Sequence, residues 1–327
     1  MAQKRKKQTY RVRYDRIIFV LAILAVLILI MTSCVSSCTK RMREDKPGGT
    51  VENDLTVPDT TEPTTMQAST EPPVAYATVS LSSDKVNTGD LVLVNAAHPC
   101  TFDDEEVQSG TSADISFVTI KSILDTKTER HYTAADWTVG VDRDAALAMD
   151  AWFEAFYQET GNTDLRMIGG YKADASDLDF RAGRTLTIGV FPDSGSSYAY
   201  KAEGEYAWIA EHAADYGFIL RYPEDKDSYF DDDITSRRTA TFRYVGIGPA
   251  GYIAQNGLCL EEFLETVKTY TIDNLLEVTV NGENYGMYYV PANAGSTATT
   301  FSVPSDEKTY EISGNNMDGF VISAKLG

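Results

Sequence analysis

Hydrophobic positions fall into three regimes along the chain. From Ile17 to Met31 every residue is apolar, and with Thr32 to Val35 the stretch covers residues 17–35, within the ~17 to 25 residues that cross a bilayer as a helix. From Glu44 to Ala75 apolar residues are sparse among Pro, Thr, Glu and Gly, a composition that cannot bury a core and predicts a flexible or extended spacer. From Val79 onward the pattern is that of a folded domain. Asp90 to Asn95 has a short strand pattern. Asp144 to Thr160 predicts a helix with Leu147, Ala151, Phe153, Ala155 and Phe156 on its apolar face, stopped by Gly161-Asn162. Leu165–Ile168 and Arg184–Val190 predict strands. Glu205 to Tyr216 predicts a helix with Trp208, Ile209, Ala213 and Tyr216 on one face, closed by Gly217 as a left-handed cap. A strand at 218–222, ended by Pro223, is expected to pair with one at 241–245. Helices are expected at 249–256 and from Leu260 to about Tyr270. The tail predicts a hairpin, 276–280 with 285–290 around Asn281-Gly282, and further strands near 300–303, 310–312 and 320–322.

Charge divides the chain at its amino end. The first 46 of 327 residues hold 11 basic and 3 acidic side chains, so within a net charge of −19 the remainder carries −27. The basic arm before the apolar run predicts a cytoplasmic amino terminus and an exported remainder. The strongly acidic remainder excludes nucleic acid as a partner, since phosphate binding needs clustered Lys and Arg. Of the four cysteines, Cys100 and Cys259 lie in the folded region. A disulfide between them and two buried free thiols are both compatible with export.

Several segments carry a family resemblance. Phe218-Ile219-Leu220-Arg221-Tyr222-Pro223, Thr241-Phe242-Arg243-Tyr244-Val245-Gly246, Gly257-Leu258-Cys259-Leu260-Glu261-Glu262-Phe263-Leu264 and Leu93-Val94-Asn95 with His98-Pro99 resemble the VanY-like D-alanyl-D-alanine carboxypeptidases. These are zinc D,D-peptidases that trim peptidoglycan stem peptides. The resemblance covers roughly Gly89 to Leu264. It implies an α+β fold with a Hedgehog/DD-peptidase-like core, a small mixed sheet with packed helices, to which the sequence adds a C-terminal β module and an N-terminal transmembrane helix.

The family's chemistry is where the match fails. Its third zinc ligand and catalytic base come from a Glu-x-Trp-His segment just before Phe-Arg-Tyr-Val-Gly, and here that segment is Arg238-Thr239-Ala240-Thr241. Its first two ligands come from Ser-x-His-x-x-Gly-x-Ala-x-Asp. Placing Asp193 on that Asp puts Gly189 on the Gly but Leu186 on the His. A catalytic zinc needs about three side-chain ligands; Leu donates nothing, a Thr hydroxyl is a poor ligand, and Arg238 sets a fixed charge where a proton acceptor should stand. No cofactor is therefore expected, zinc being what the resemblance alone implies. The substrate-side Ser-Gly-Tyr-Arg becomes Gly169-Gly170-Tyr171-Lys172, which keeps the charge without the two-pronged geometry. Only residues 173–192 separate Lys172 from Asp193, a shortened cleft wall.

Arg238, Thr241 and Leu186 are thus degenerate catalytic positions, and no catalytic or metal residue is expected. Lys172, Asp193, Arg243 and Tyr244 are candidate binding residues; for Arg243 a structural ion pair with Asp193 or Glu261 is the stronger reading. His98, His131 and His212 read as packing or surface residues, and Asp231-Asp232-Asp233 as a solvated loop or a hard-cation site. The expected domains are a cytoplasmic arm (1–16), a transmembrane helix or signal anchor (17–35), a linker (36–76), the carboxypeptidase-like domain (77–272) and a β-rich module (273–327). Val35-Ser36-Ser37-Cys38 resembles a bacterial lipobox, so a lipoprotein anchored through Cys38 competes with a single-pass bacterial membrane protein; the long apolar run favours the anchor. The expected function is a membrane-anchored pseudoenzyme that binds peptidoglycan stem peptide or a cell-envelope protein. The alternatives are an active carboxypeptidase with a relocated metal site and a structural component of envelope assembly.

Overall fold

The longest helix begins and ends at identifiable caps. The Asp142 carboxylate accepts from the Asp144 amide, the helix runs Arg143–Thr160, and Gly161 closes it at φ 71°. Its buried face is Ala145, Ala146, Met149, Trp152, Phe153 and Phe156, a stripe at spacings of three and four. Leu147, expected on that face, is 44% exposed: it lies on the far side of the stripe set by Trp152 and Phe156. The computed structural model describes residues 75–100, 102–175, 178–230, 238–306 and 310–326, all in one compact unit. The expected span 17–35, the Cys38 motif, most of the linker and the Asp231–Asp233 run lie outside the described residues. Among those described, no helix is long and apolar enough to cross a membrane.

Along the chain, β1 (Tyr76–Ser82) precedes β2 (Phe117–Thr119), β3 (Thr133–Ala134) and β4 (Gly140–Asp142). Then follow β5 (Leu165–Gly169), β6 (Thr185–Val190), β7 (Tyr198–Ala199), β8 (Phe218–Leu220) and β9 (Thr241–Tyr244). The tail holds β10 (Leu276–Val280), β11 (Glu283–Pro291), β12 (Ala298–Pro304), β13 (Tyr310–Gly314) and β14 (Gly319–Leu326).

The central mixed sheet has the order β3-β5-β6-β9-β8, with β7 added to β6. Only β3 and β5 run parallel among its strand pairs in the described residues. One face packs on the Arg143–Thr160 helix in a cluster that includes Trp152, Leu186, Phe218 and Phe242. The expected 205–216 helix is a short α-helix, Ala207–His212, between two single-turn 3-10 segments, ending at Gly217 with φ 79°. The 218–222 and 241–245 segments pair as β8 and β9. The last two helices are Ile247–Asn256 and Leu260–Val267.

A second sheet, β10-β11-β14-β13, is antiparallel throughout. Its opening turn uses Asn281 at φ 52° and Gly282 at φ 81°, the left-handed pair that a two-residue hairpin favours. One face packs on the last two helices through Leu276, Val278, Met287 and Val321. The other, with Tyr288, Phe320 and Ile322, is covered by the β1–β12 ribbon. β1 thus joins residues at the start of the folded region to the tail.

The strand expected at 90–95 does not form. Leu91, Val92, Leu93 and Val94 are buried, but their backbone is satisfied outside any sheet. Arg243 Nη2 donates to the Asp90 and Val92 carbonyls at 3.0 Å each, and the Leu93 amide donates to the Asn315 carbonyl at 3.2 Å. Cys100 and Cys259 are free thiols, the second buried, and burial pushes the Cys259 thiol up to about 12.

Candidate functional site

The candidate site is the second face of the central sheet, and strand register determines which residues reach it. β6 and β9 pair with Thr185 opposite Arg243, Leu186 opposite Phe242 and Thr187 opposite Thr241. Directly opposed residues share a face, and a step of one residue changes face. Leu186 and Phe242 therefore both enter the apolar cluster under the long helix. Thr185, Thr187, Thr241 and Arg243 face the other way. Two side chains holding one ion must share a face, so the mate of Thr241 is Thr187. Leu186, which the motif aligns with the first ligand, points instead into the apolar cluster with Phe242.

That face is filled by a buried ionic cluster centred on Asp179, which the sequence reading did not single out. Asp179 is 1% exposed and comes from the turn Leu178–Ala182 just before β6. Arg243 Nη1 donates to its Oδ1 at 3.0 Å, Arg221 Nε lies 3.1 Å from the same oxygen, and the Thr185 hydroxyl donates to Oδ2. Arg221 then makes a two-pronged pair with Glu261, at 2.8 and 3.2 Å. Burial alone would raise the Asp179 pKa, but Arg243 and Arg221 outweigh it and hold the carboxyl below its usual range. Arg184 extends the network to Asp90 and, at 3.8 Å, to Asp142.

Arg243 is therefore a structural residue here. It is fully buried, its acidic partner is Asp179 rather than Asp193 or Glu261, and its remaining donors go to backbone carbonyls of Tyr244, Asp90 and Val92. Burial and the neighbouring Arg184 and Arg221 pull its pKa below the usual arginine value. Tyr244 is on the opposite face of β9, stacked edge-on to Phe218, and burial pushes its phenol up.

The other predicted residues are dispersed. Arg238 turns toward the 223–230 segment, where Nη2 donates to the Pro223 carbonyl at 3.2 Å and pairs with Asp227. Asp193 is exposed in the turn after β6 and forms no hydrogen bond or ion pair among the described residues. Lys172 is exposed at the rim of a groove with Trp137, Phe117 and Tyr171, whereas Tyr244 lines a different cleft with Tyr310 and Glu311. His131 Nδ1 meets Glu154 at 2.6 Å, and His212 Nδ1 meets Asp215 at 2.8 Å.

The donor set does not fit zinc. The face offers three threonine hydroxyls and one carboxylate, Asp179, already paired with two guanidinium groups, and among the described residues no group of three or more His, Cys, Asp or Glu is placed to hold a metal ion.

No family model matches the chain. A D-alanyl-D-alanine carboxypeptidase of Enterococcus faecium is 34% identical over 173 residues, 52% of this chain and 49% of that protein. One of Enterococcus faecalis is 46% identical over 65 residues, 19% of this chain and 22% of that protein. Over these segments the chain is similar in sequence to D-alanyl-D-alanine carboxypeptidases. It spans about half the length of the first relative and about a fifth of the second. The vancomycin-resistance D,D-dipeptidase VanXYg, solved with a D-Ala-D-Ala phosphinate analogue, matches with a TM-score of 0.60 over 77% of this chain and all of that one, at 23% identity. At that identity the likeness is one of fold, and the chain shares the mixed α+β architecture of that structure.

Proposed function

We propose that this chain is a D,D-carboxypeptidase-like pseudoenzyme of the bacterial cell envelope, held at the membrane by its amino-terminal segment. It binds the peptidoglycan stem peptide or an envelope protein partner without cutting. The reading rests chiefly on the Thr187–Thr241 pair and the Asp179–Arg221–Arg243 cluster behind it. Side chains that would hold a metal and activate water give way to groups that hold the sheet together. Asp179 and Glu261 balance Arg221 and Arg243, so the carboxylate that the Thr185 hydroxyl reaches is already paired with two guanidinium groups. The kinship with carboxypeptidases supports peptidoglycan as the setting.

The test is metal analysis of the purified chain together with D-alanine release from a pentapeptide ending in D-Ala-D-Ala. The expected result is zinc well below one equivalent and no release. Near-stoichiometric zinc with turnover would overturn the reading in favour of an active carboxypeptidase with a relocated metal site.

A further inference from the structure

Trp137 is 72% exposed, more than any other large hydrophobic side chain among the described residues. It does not sit on a loose loop tip. The Asp136 carboxylate accepts from the Thr138 amide at 2.7 Å, the Thr138 hydroxyl at 2.6 Å and the Val139 amide at 3.2 Å. The Val139 carbonyl in turn accepts from the Ile120 amide at 2.9 Å, and β4 begins at the next residue. A single exposed apolar side chain is ordinary, and this one gains meaning from the aromatic groove that it borders.

The indole borders a groove of about 520 Å³. Phe117 and Tyr171 also line it, with ring centroids 5.9 Å apart in an edge-on arrangement. Tyr171 is locked in place: its amide donates to the Gly140 carbonyl at 2.9 Å and its hydroxyl to Asp104 at 2.6 Å. Asp104 is itself held by Arg181 at 3.1 Å. Gly170 allows this close approach, because a Cβ there would lie 2.3 Å from the Gly140 carbonyl oxygen. The polar lining includes Gln108, Asp174 and Lys172, all three exposed.

Aromatic faces beside an amide, a carboxylate and an ammonium suit a ligand with one apolar face and a rim of hydroxyls. A pyranose ring has that form. An apolar peptide side chain would leave the polar rim unused. Lys172 is the cation among the lining residues, in a folded region whose overall charge is strongly negative, so it selects a ligand that carries its own carboxylate.

We propose that the Trp137–Lys172 groove is a binding subsite for a carboxylate-bearing saccharide of the cell wall, with a sugar ring on the indole and the carboxylate on Lys172. The carboxylate belongs to the saccharide or to its attached peptide. This rests on the envelope-binding reading above, and it places recognition outside the face filled by Asp179.

The experiment titrates the purified full chain with three probes: a disaccharide-peptide fragment of peptidoglycan, the same peptide without sugar, and a neutral N-acetylglucosamine oligomer. Tryptophan fluorescence and calorimetry are read together; of the chain's three tryptophans, Trp152 is fully buried. The disaccharide-peptide is expected to bind tightest and to shift the fluorescence. Trp137→Ala should weaken it about tenfold and remove the shift, with an unchanged melting temperature because the side chain is exposed. Lys172→Ala should weaken the disaccharide-peptide and leave the neutral oligomer as it was. Wild-type binding by both variants, or peptide alone binding as tightly as disaccharide-peptide, overturns the groove assignment and spares the broader reading. Failure of the wild-type chain to bind any probe overturns both.

Discussion

Asp179 lies between Lys172 and β6, in a stretch whose sequence marks it as no more than a solvated acid. Its weight comes from tertiary contact, because Arg221 and Arg243 arrive from β8 and β9 and neither charge can be left alone in the interior. That Arg243 would enter a structural ion pair was legible from a Phe-Arg-Tyr-Val strand. Its partner was not, since spacing does not say which loop folds over a sheet. The face that Leu186 takes is hidden for a similar reason. The match was anchored on Gly189 and Asp193, and counting residues carries no information about which face each one takes, whereas the Thr187–Thr241 register does. Asp179→Asn removes the charge that both guanidinium groups need and should cost about 3 to 5 kcal/mol, read as a lowered urea midpoint. The pH dependence follows from the depressed folded pKa of Asp179. Its contribution is fully present above the unfolded value of about 3.9 and is lost as pH falls from there through the lower folded value. The wild-type chain should therefore lose this stability on acidification below about pH 4, and the Asn variant should show a flatter acid limb in the same titration.

Elements with strong periodicity or clear punctuation were legible; those held by distant partners were not. The 143–160 helix, the β8–β9 pair and the Asn281-Gly282 hairpin follow from caps, Pro223 and turn chemistry. Residues 90–95 have a strand pattern because Leu91 to Val94 form a short continuous run of Leu and Val, yet Arg243 and Asn315 satisfy their backbone instead of a neighbouring strand. Gly217 was read as a helix cap and serves a second purpose that only packing reveals. At φ 79° it turns the chain into β8, and a Cβ there would lie 2.7 Å from the Tyr244 ring and 3.1 Å from the Gly246 backbone. The ring is itself buried against Phe218 and has little room to yield. Gly217→Ala should therefore cost more than the ~1 kcal/mol typical of a strained left-handed alanine, about 2 to 3 kcal/mol with the clash included. Thermal unfolding followed by circular dichroism measures it, and a loss below about 0.5 kcal/mol would mean that Tyr244 moves freely.

At the scale of the molecule, the tail reads in sequence as a change of character at about residue 273, because hairpin signals replace helices there. The hydrophobic clusters ignore that point. Leu91, Leu93, Ile219, Phe263 and Leu264 share one cluster with Leu276, Val278, Met287 and Val321. The opposite face of the second sheet is closed by β1, whose Tyr76–Ser82 backbone pairs residue for residue with β12. Periodicity identifies the apolar face of a strand but not the element that covers it, so the continuity of this core could not be read from the chain alone. The arrangement has a consequence for any attempt to locate a partner-binding surface by truncation. Removing residues 273–327 uncovers the side chains of two helices and leaves β1 without its partner. At about 25 cal/mol per Å² of exposed apolar surface, such a loss is large against the total stability of about 5 to 15 kcal/mol that a domain possesses. The truncated chain is expected to lose cooperative thermal unfolding and to aggregate, as size-exclusion chromatography and calorimetry would show. A monomeric 77–272 fragment with a sharp transition would instead establish that the first sheet and its helices fold alone. Because truncation should remove fold and binding together, Trp137→Ala and Lys172→Ala are the substitutions that separate them.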